Sequence, residues 1–326
     1  MQVGMLVWLV TVVAIVGLFV FDFYSHVRTP HEPTFRESAI WSSVYIGLAL
    51  AFGGFVAWQW GGRYAGEYYA GFVTEKALSV DNLFVFVIIM ATFAVPRMYQ
   101  QKVLLIGIVL ALAMRGVFIA VGAAAIAEFS WVFYLFGAFL IYTAAKLLRE
   151  SGHEVEHEQR RDSRVVALAK RFLPTTEEYH GDRLLARVDG RRVVTPLLLA
   201  LLAIGFADLL FALDSIPAIY GLTSEPYLVF TANAFALMGL RQLFFLIGGL
   251  LDRLVYLSYG LAIILAFIGV KLVLHALHEN TLPFVNGGEH VVVPEISTGV
   301  SLTVIIGVLV ITTVASLART RVDTDR

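Results

Sequence analysis

Apolar blocks of about 20 residues recur along nearly all of this 326-residue chain, and that recurrence constrains its fold more than any other feature. Roughly 20 apolar residues are what a helix needs to cross a ~30 Å hydrocarbon layer. The chain is 59% hydrophobic and 15% charged, whereas a soluble domain carries about a quarter charged residues. The expected class is therefore an all-α polytopic membrane protein. Nine candidate spans can be drawn, roughly at 4–24, 38–60, 70–95, 102–126, 130–149, 196–220, 227–250, 254–278 and 297–318. The first block, Met5 to Phe21, has no basic residue ahead of it and no small-residue cleavage site behind it, so it reads as a retained span. Cysteine is absent, which removes disulfides and thiolate metal sites.

Four carboxylates interrupt these blocks as two pairs with the same spacing of six: Glu75 and Asp81, then Asp208 and Asp214. An acid in the middle of a membrane helix costs about 2.5–3.5 kcal/mol on insertion scales and normally faces a pathway or a partner. The duplication extends further. After each pair comes a span with an arginine in apolar context, Arg115 and Arg241, and then a span with an aromatic start and a late lysine, Lys146 and Lys271. Units of three spans, about 70–149 and 196–278, must enter the membrane from opposite faces. Such inverted three-helix repeats are a transporter architecture. Two N-terminal spans (1–69) precede them, and an outer loop, a last span and a tail (279–326) follow.

The segment 150–195 differs in kind, with nine Lys/Arg and nine Asp/Glu. It reads as a charged cytoplasmic loop, with helical character expected around Val165 to Phe172. The same side receives Arg28, Arg36, Arg97, Lys102, Arg253, Arg319 and Arg321, whereas the loop from Glu279 to Glu295 has no Lys or Arg. The positive-inside rule then places the N-terminus outside and the C-terminus in the cytoplasm, with a bacterial inner membrane as the expected location. One detail conflicts with ideal symmetry: with these boundaries Asp81 lies about a dozen residues into its span and Asp214 nearly twenty, unless the third span starts earlier, near Tyr64.

Residues six apart on an ideal helix differ by about 120° in direction and ~9 Å in height. An unbroken helix therefore cannot close both acids of a pair on one ion. Either a helix unwinds, with Pro217 freeing a carbonyl near Leu213, or the site is built across the repeats. The assembled donors would be Glu75, Asp81, Asn82, Asp208, Asp214 and Ser215, all oxygen, which suits Mg²⁺, Ca²⁺ or Mn²⁺. Arg115 and Arg241 are expected to balance charge. The plainer reading makes the acids mere partners of Arg115, Arg241, Lys146 or Lys271. The tract His153-Glu154-Val155-Glu156-His157-Glu158 could gather metal but reads better as a solvated loop, and His275 and His278 as interfacial residues. No phosphate-binding loop, dinucleotide turn or nucleophile elbow is present, so an enzyme is not expected. Nor is a nucleic-acid partner.

The motifs Glu75-Lys-Ala-Leu-Ser-Val-Asp81-Asn82-Leu-Phe-Val-Phe and Asp208-Leu-Leu-Phe-Ala-Leu-Asp214-Ser215-Ile-Pro-Ala-Ile resemble those of the TerC family of integral membrane proteins, over about residues 40–278. That family is named for tellurium resistance and associated with manganese export. The resemblance implies a nine-span protein of the lysine-exporter-like class, with the motif acids as metal ligands and Mn²⁺ as the transported ion rather than a permanently bound cofactor. Moving a 2+ ion outward against an inside-negative potential costs about 4.6 kcal/mol per 100 mV, so exchange for protons is the expected coupling. The alternatives are transport of Ca²⁺ or an amino acid, an assembly partner in a metal- or tellurite-stress complex docked through 150–195, and a haem-bearing redox protein. Self-association is compatible with each.

Overall fold

The computed structural model describes residues 1–27, 31–129, 131–150, 174–176, 178–188, 191–247, 256–280, 282 and 286–324. The expected helix at Val165 to Phe172, the tract from His153 to Glu158 and Arg253 lie outside the described residues. Helix α1 spans Met5–Asp22 and runs into a π-helical turn at Phe23–Val27. Helix α2 (Phe35–Trp60) is capped by Thr34, whose hydroxyl accepts the Glu37 N–H at 3.2 Å. It turns into α3 (Gly62–Thr92) through Gly61 alone, whose φ of 99° favours glycine. Helices α4 (Arg97–Glu128) and α5 (Val132–Glu150) complete the first repeat. The second comprises α6 (Pro196–Tyr220), a span broken into α7 (Pro226–Leu237) and α8 (Leu240–Ile247), and α9 (Leu257–His278). Helix α10 (Thr298–Thr324) closes the chain.

Among the described residues, eight helical stretches are long and apolar enough to cross a membrane, and the protein is an all-α integral membrane protein. The expected third span, α3, fails that hydropathy criterion because it carries Arg63, Glu67, Glu75, Lys76 and Asp81. Its 31 residues still extend ~46 Å, and it packs against α2, α6, α7 and α10. The polar helix is thus central and the apolar ones surround it. Val13, Val16 and Val20 of α1 and Val310, Ile311 and Val314 of α10 point outward with nothing covering them, as lipid-facing residues do.

Loop contacts sort the connections onto two faces. On one, the Met1 ammonium pairs with Glu225 at 2.5 Å and the Trp60 indole N–H donates to the Gln2 carbonyl. On the other, Arg97 meets Glu32, the Tyr179 hydroxyl donates to the Phe93 carbonyl at 2.6 Å, and Lys102 pairs with Asp182 at 2.7 Å. This alternation is what an odd number of spans per repeat requires.

Three boundaries differ from the sequence reading. The third span starts at Gly62, so the border drawn at residue 70 falls inside α3, where polar residues hid the helix from a hydropathy reading. The seventh span is not one helix: the chain breaks at Met238 and Gly239, the latter at φ 75°. The charged segment also contains an antiparallel hairpin, β1 (Leu185–Val188) with β2 (Arg191–Val194).

The earlier start of α3 removes the depth conflict. Glu75 and Asp81 are the fourteenth and twentieth residues of α3, and Asp208 and Asp214 the thirteenth and nineteenth of α6. The two helices run antiparallel: Gly71 lies against Ile219, while Leu83, Phe86 and Ile89 pack with Leu197, Ala200 and Ile204. Where α5 and α9 cross, glycines permit backbone contact; a Cβ on Gly137 would sit 2.7 Å from the Gly269 carbonyl oxygen.

Candidate functional site

Arg115, from the middle of α4, is completely buried between the two acidic helices. Its Nε and Nη2 donate to both carboxylate oxygens of Asp208 at 3.1 and 3.0 Å, the bidentate fork that guanidinium and carboxylate geometry favours. Its Nη1 donates to Glu75 Oε1 and, at 3.1 Å, to the Ser215 hydroxyl oxygen. The first acid of each repeat therefore meets the other at one guanidinium. Both α3 and α6 remain continuous helices; Pro217 lies inside α6 without ending it. Of the two geometric routes open to the sequence, the chain takes the cross-repeat one.

Two carboxylates share this single cation, and Glu75 Oε2 has no hydrogen-bond partner although Glu75 is fully buried. A half-satisfied buried acid is costly. The hydroxyls of Thr74 and Ser79, flanking Glu75 on α3, are likewise buried and unpartnered, and so are both polar atoms of the Asn233 side chain on α7.

The other expected residues are placed differently. Asn82 is buried on α3. The Asp81 side chain lies outside the described atoms. Asp214 is half-buried and faces α5, accepting from the Thr143 hydroxyl at 3.2 Å, with Lys146 near enough to act on it electrostatically. Arg241 is the correction. Among the described atoms it meets neither motif pair: its Nη2 donates to Asp22 Oδ1 at 2.8 Å and its Nη1 to Gln101 Oε1. Asp22 also accepts from the Tyr45 hydroxyl at 2.8 Å and from Gln242 Nε2 at 3.2 Å. The break at Gly239 separates this arginine from the span that precedes it and leaves it beside α1, α2 and α4.

Lys76, next to Glu75, turns the other way and donates to the Ala236 and Met238 carbonyls, at 2.9 and 3.3 Å, which the break leaves without helical N–H partners. Among the described residues, no group of three or more His, Asp or Glu side chains converges as a ready-made metal site. The arrangement offers instead two acids, a shared guanidinium and neutral oxygens. Asp22 and Asn233 escaped the sequence reading because each is a single polar residue without a repeated partner. The signal for both was the one that exposed the acids, a polar group inside an apolar block.

The family model for the integral membrane protein TerC family matches residues 60–324. The chain belongs to the TerC family. The match begins at the α2–α3 turn and takes in both repeats and α10. An uncharacterized membrane protein of Mycobacterium tuberculosis is 55% identical over 95% of this chain and 79% of its own length. The thylakoid membrane protein TERC of Arabidopsis thaliana is 40% identical over 83% of the chain and 69% of its own length. A protein of Escherichia coli named putative membrane-bound redox modulator Alx is 35% identical over 87% of the chain and 85% of its own length. No solved structure matches.

Proposed function

We propose that this TerC-family protein is a secondary exporter of a divalent metal cation, with Mn²⁺ as the preferred substrate and protons as the counter-ion. The observation that carries the reading is the meeting of Glu75 and Asp208, equivalent residues of two inverted repeats, at Arg115. Sites at the repeat interface, near the membrane midplane, are where alternating access can present a ligand to either face. Hard oxygen donors suit Mn²⁺.

Arg115 gives the cycle a physical logic. Two bare carboxylates buried together would be prohibitive, so the guanidinium acts as a tethered counter-cation while the site holds no substrate. An arriving 2+ ion takes over the two acids, and Arg115 shifts towards Ser215. One negative charge stays uncompensated when Arg115 bridges both acids, and a proton at Glu75 Oε2 neutralises it. Asp214, with Thr143 and Lys146, forms a second station about 9 Å along α6, and Asp81 is its repeat-related counterpart. In this reading the N-terminus faces the outside of a bacterial inner membrane and the 150–195 segment faces the cytoplasm. The protein is a transporter and not an enzyme, with no resident cofactor.

The test is metal content and efflux in cells expressing the protein, with Mn²⁺, Ca²⁺ and Zn²⁺ compared in parallel. Expression should lower cellular Mn²⁺ most, in a pH-dependent manner, and Asp81→Asn or Asp214→Asn should abolish the effect. Wild-type efflux from both variants would reject the second station, and unchanged cellular metal would reject the function.

A further inference from the structure

Asn233 is fully buried, and neither its amide oxygen nor its amide nitrogen has a hydrogen-bond partner. A leucine at this position would pack without that penalty, so the amide calls for a role beyond packing. Its neighbours on α7 fix the direction in which it points. A Cβ on Gly71 would lie 3.3 Å from the Ala232 Cβ, and Lys76 bonds the Ala236 carbonyl, so this side of α7 faces α3. A Cβ on Gly116 would lie 3.8 Å from the Phe230 ring, so that side faces α4. At about 100° per residue, position 233 falls between the two, in the wedge where α3 contributes Glu75 and α4 contributes Arg115. The height agrees: Gly116 adjoins Arg115, and Asn233 is three residues, or ~4.5 Å, from Phe230.

Ser79, one helical turn after Glu75 on α3, adds a further buried hydroxyl without a hydrogen-bond partner.

We propose that Asn233 is a substrate-ligating residue of the second repeat, supplying its amide oxygen to the divalent cation that Glu75 and Asp208 hold. The inference rests on the transport reading above. A hard divalent cation takes six or more oxygens, and two carboxylates alone leave its shell incomplete. Neutral donors fill the shell without adding charge, so the ion is held yet can still leave.

The experiment is Mn²⁺ uptake into inside-out membrane vesicles driven by an imposed pH gradient, comparing wild type, Asn233→Leu, Asn233→Asp and Asp208→Asn at matched protein levels. Asn233→Leu should raise the half-saturating Mn²⁺ concentration about tenfold. Asn233→Asp, nearly isosteric, should lower half-saturation and slow turnover, because an added carboxylate holds the ion too well; this variant decides the matter if Asn233→Leu does not fold. Loss of uptake in Asp208→Asn together with unchanged half-saturation in folded Asn233→Leu, or in Asn233→Asp where Asn233→Leu does not fold, overturns the Asn233 assignment alone. Full uptake by Asp208→Asn overturns the transport reading itself.

Discussion

Arg115 and Arg241 occupy matching places in the two repeats, and the fold uses them in opposite ways. Arg115 is the nineteenth residue of an unbroken α4 and reaches the acids of both repeats. Arg241 is the second residue of the short α8, just past the break at Gly239, and is bound to Asp22 of α1, a helix outside the repeats. A duplicated sequence feature has therefore diverged through a single backbone break. One copy holds the centre of the molecule, and the other fastens an added helix to its edge. Charge and burial alone cannot separate them, since both are buried arginines paired with acids.

That contrast is sharpest when each arginine is removed. Arg115→Leu leaves Glu75 and Asp208 buried without their shared cation and should lower stability by about 3–5 kcal/mol. Arg241→Leu removes the guanidinium from the buried Asp22, leaving the hydrogen bonds from Tyr45 and Gln242, and should cost a comparable ~3 kcal/mol, but should leave Mn²⁺ uptake per folded molecule unchanged. Thermal unfolding in detergent and vesicle uptake, measured on the same preparations, separate the two roles. Equal loss of uptake in both variants breaks the comparison.

The break itself comes next. Gly239→Ala forces a side chain into the left-handed region, at about 1–2 kcal/mol, and its Cβ would lie 3.1 Å from the Tyr45 Cβ. The thermal midpoint should fall while uptake survives. Tyr45→Phe, which removes one donor to Asp22, should cost about 1 kcal/mol, readable in the same melt.

Lys102 and Asp182 form the half-buried control at the loop. A pair of this kind contributes about 0–1 kcal/mol and is screened by salt. The lysine holds the Asp182 carboxyl below its ordinary range. A depressed carboxylate stabilises the fold above its unfolded-state pKa of about 3.9 and loses that contribution as pH falls through the folded value. Lys102→Ala should therefore lower the thermal midpoint slightly near pH 6 and by less near pH 3, where its hydrogen bond to the Asp182 carbonyl at 2.9 Å persists.

Much of this was legible before any coordinates. Apolar block lengths gave the membrane class, and the spacing of the acids together with the repeated arginine and lysine gave two inverted units. The helical offset of six residues leaves two routes, an unwound helix or a site across the repeats, and Glu75 and Asp208 meet across the repeats. What stayed hidden has physical causes. The start of α3 was masked because Arg63 and Glu67 make its first turns read as a loop, although Glu67 is satisfied inside the protein by Arg63 and the Thr223 hydroxyl. The break at Gly239 was invisible because glycine within an apolar run is common. Arg241's partner was missed because a lone Asp22 at the end of a hydrophobic block looks like an interfacial residue.

The central claim is that acids from two repeats form one centre, and the coupling between them in Mn²⁺ binding tests it most directly. Calorimetric titration of the purified protein with Mn²⁺ would compare wild type, Glu75→Gln, Asp208→Asn and the double variant. One shared centre predicts that each single change weakens binding by a factor on the order of 100 and that the double change weakens it little further. Losses that multiply in the double variant, or a single variant that binds as the wild type does, would contradict it.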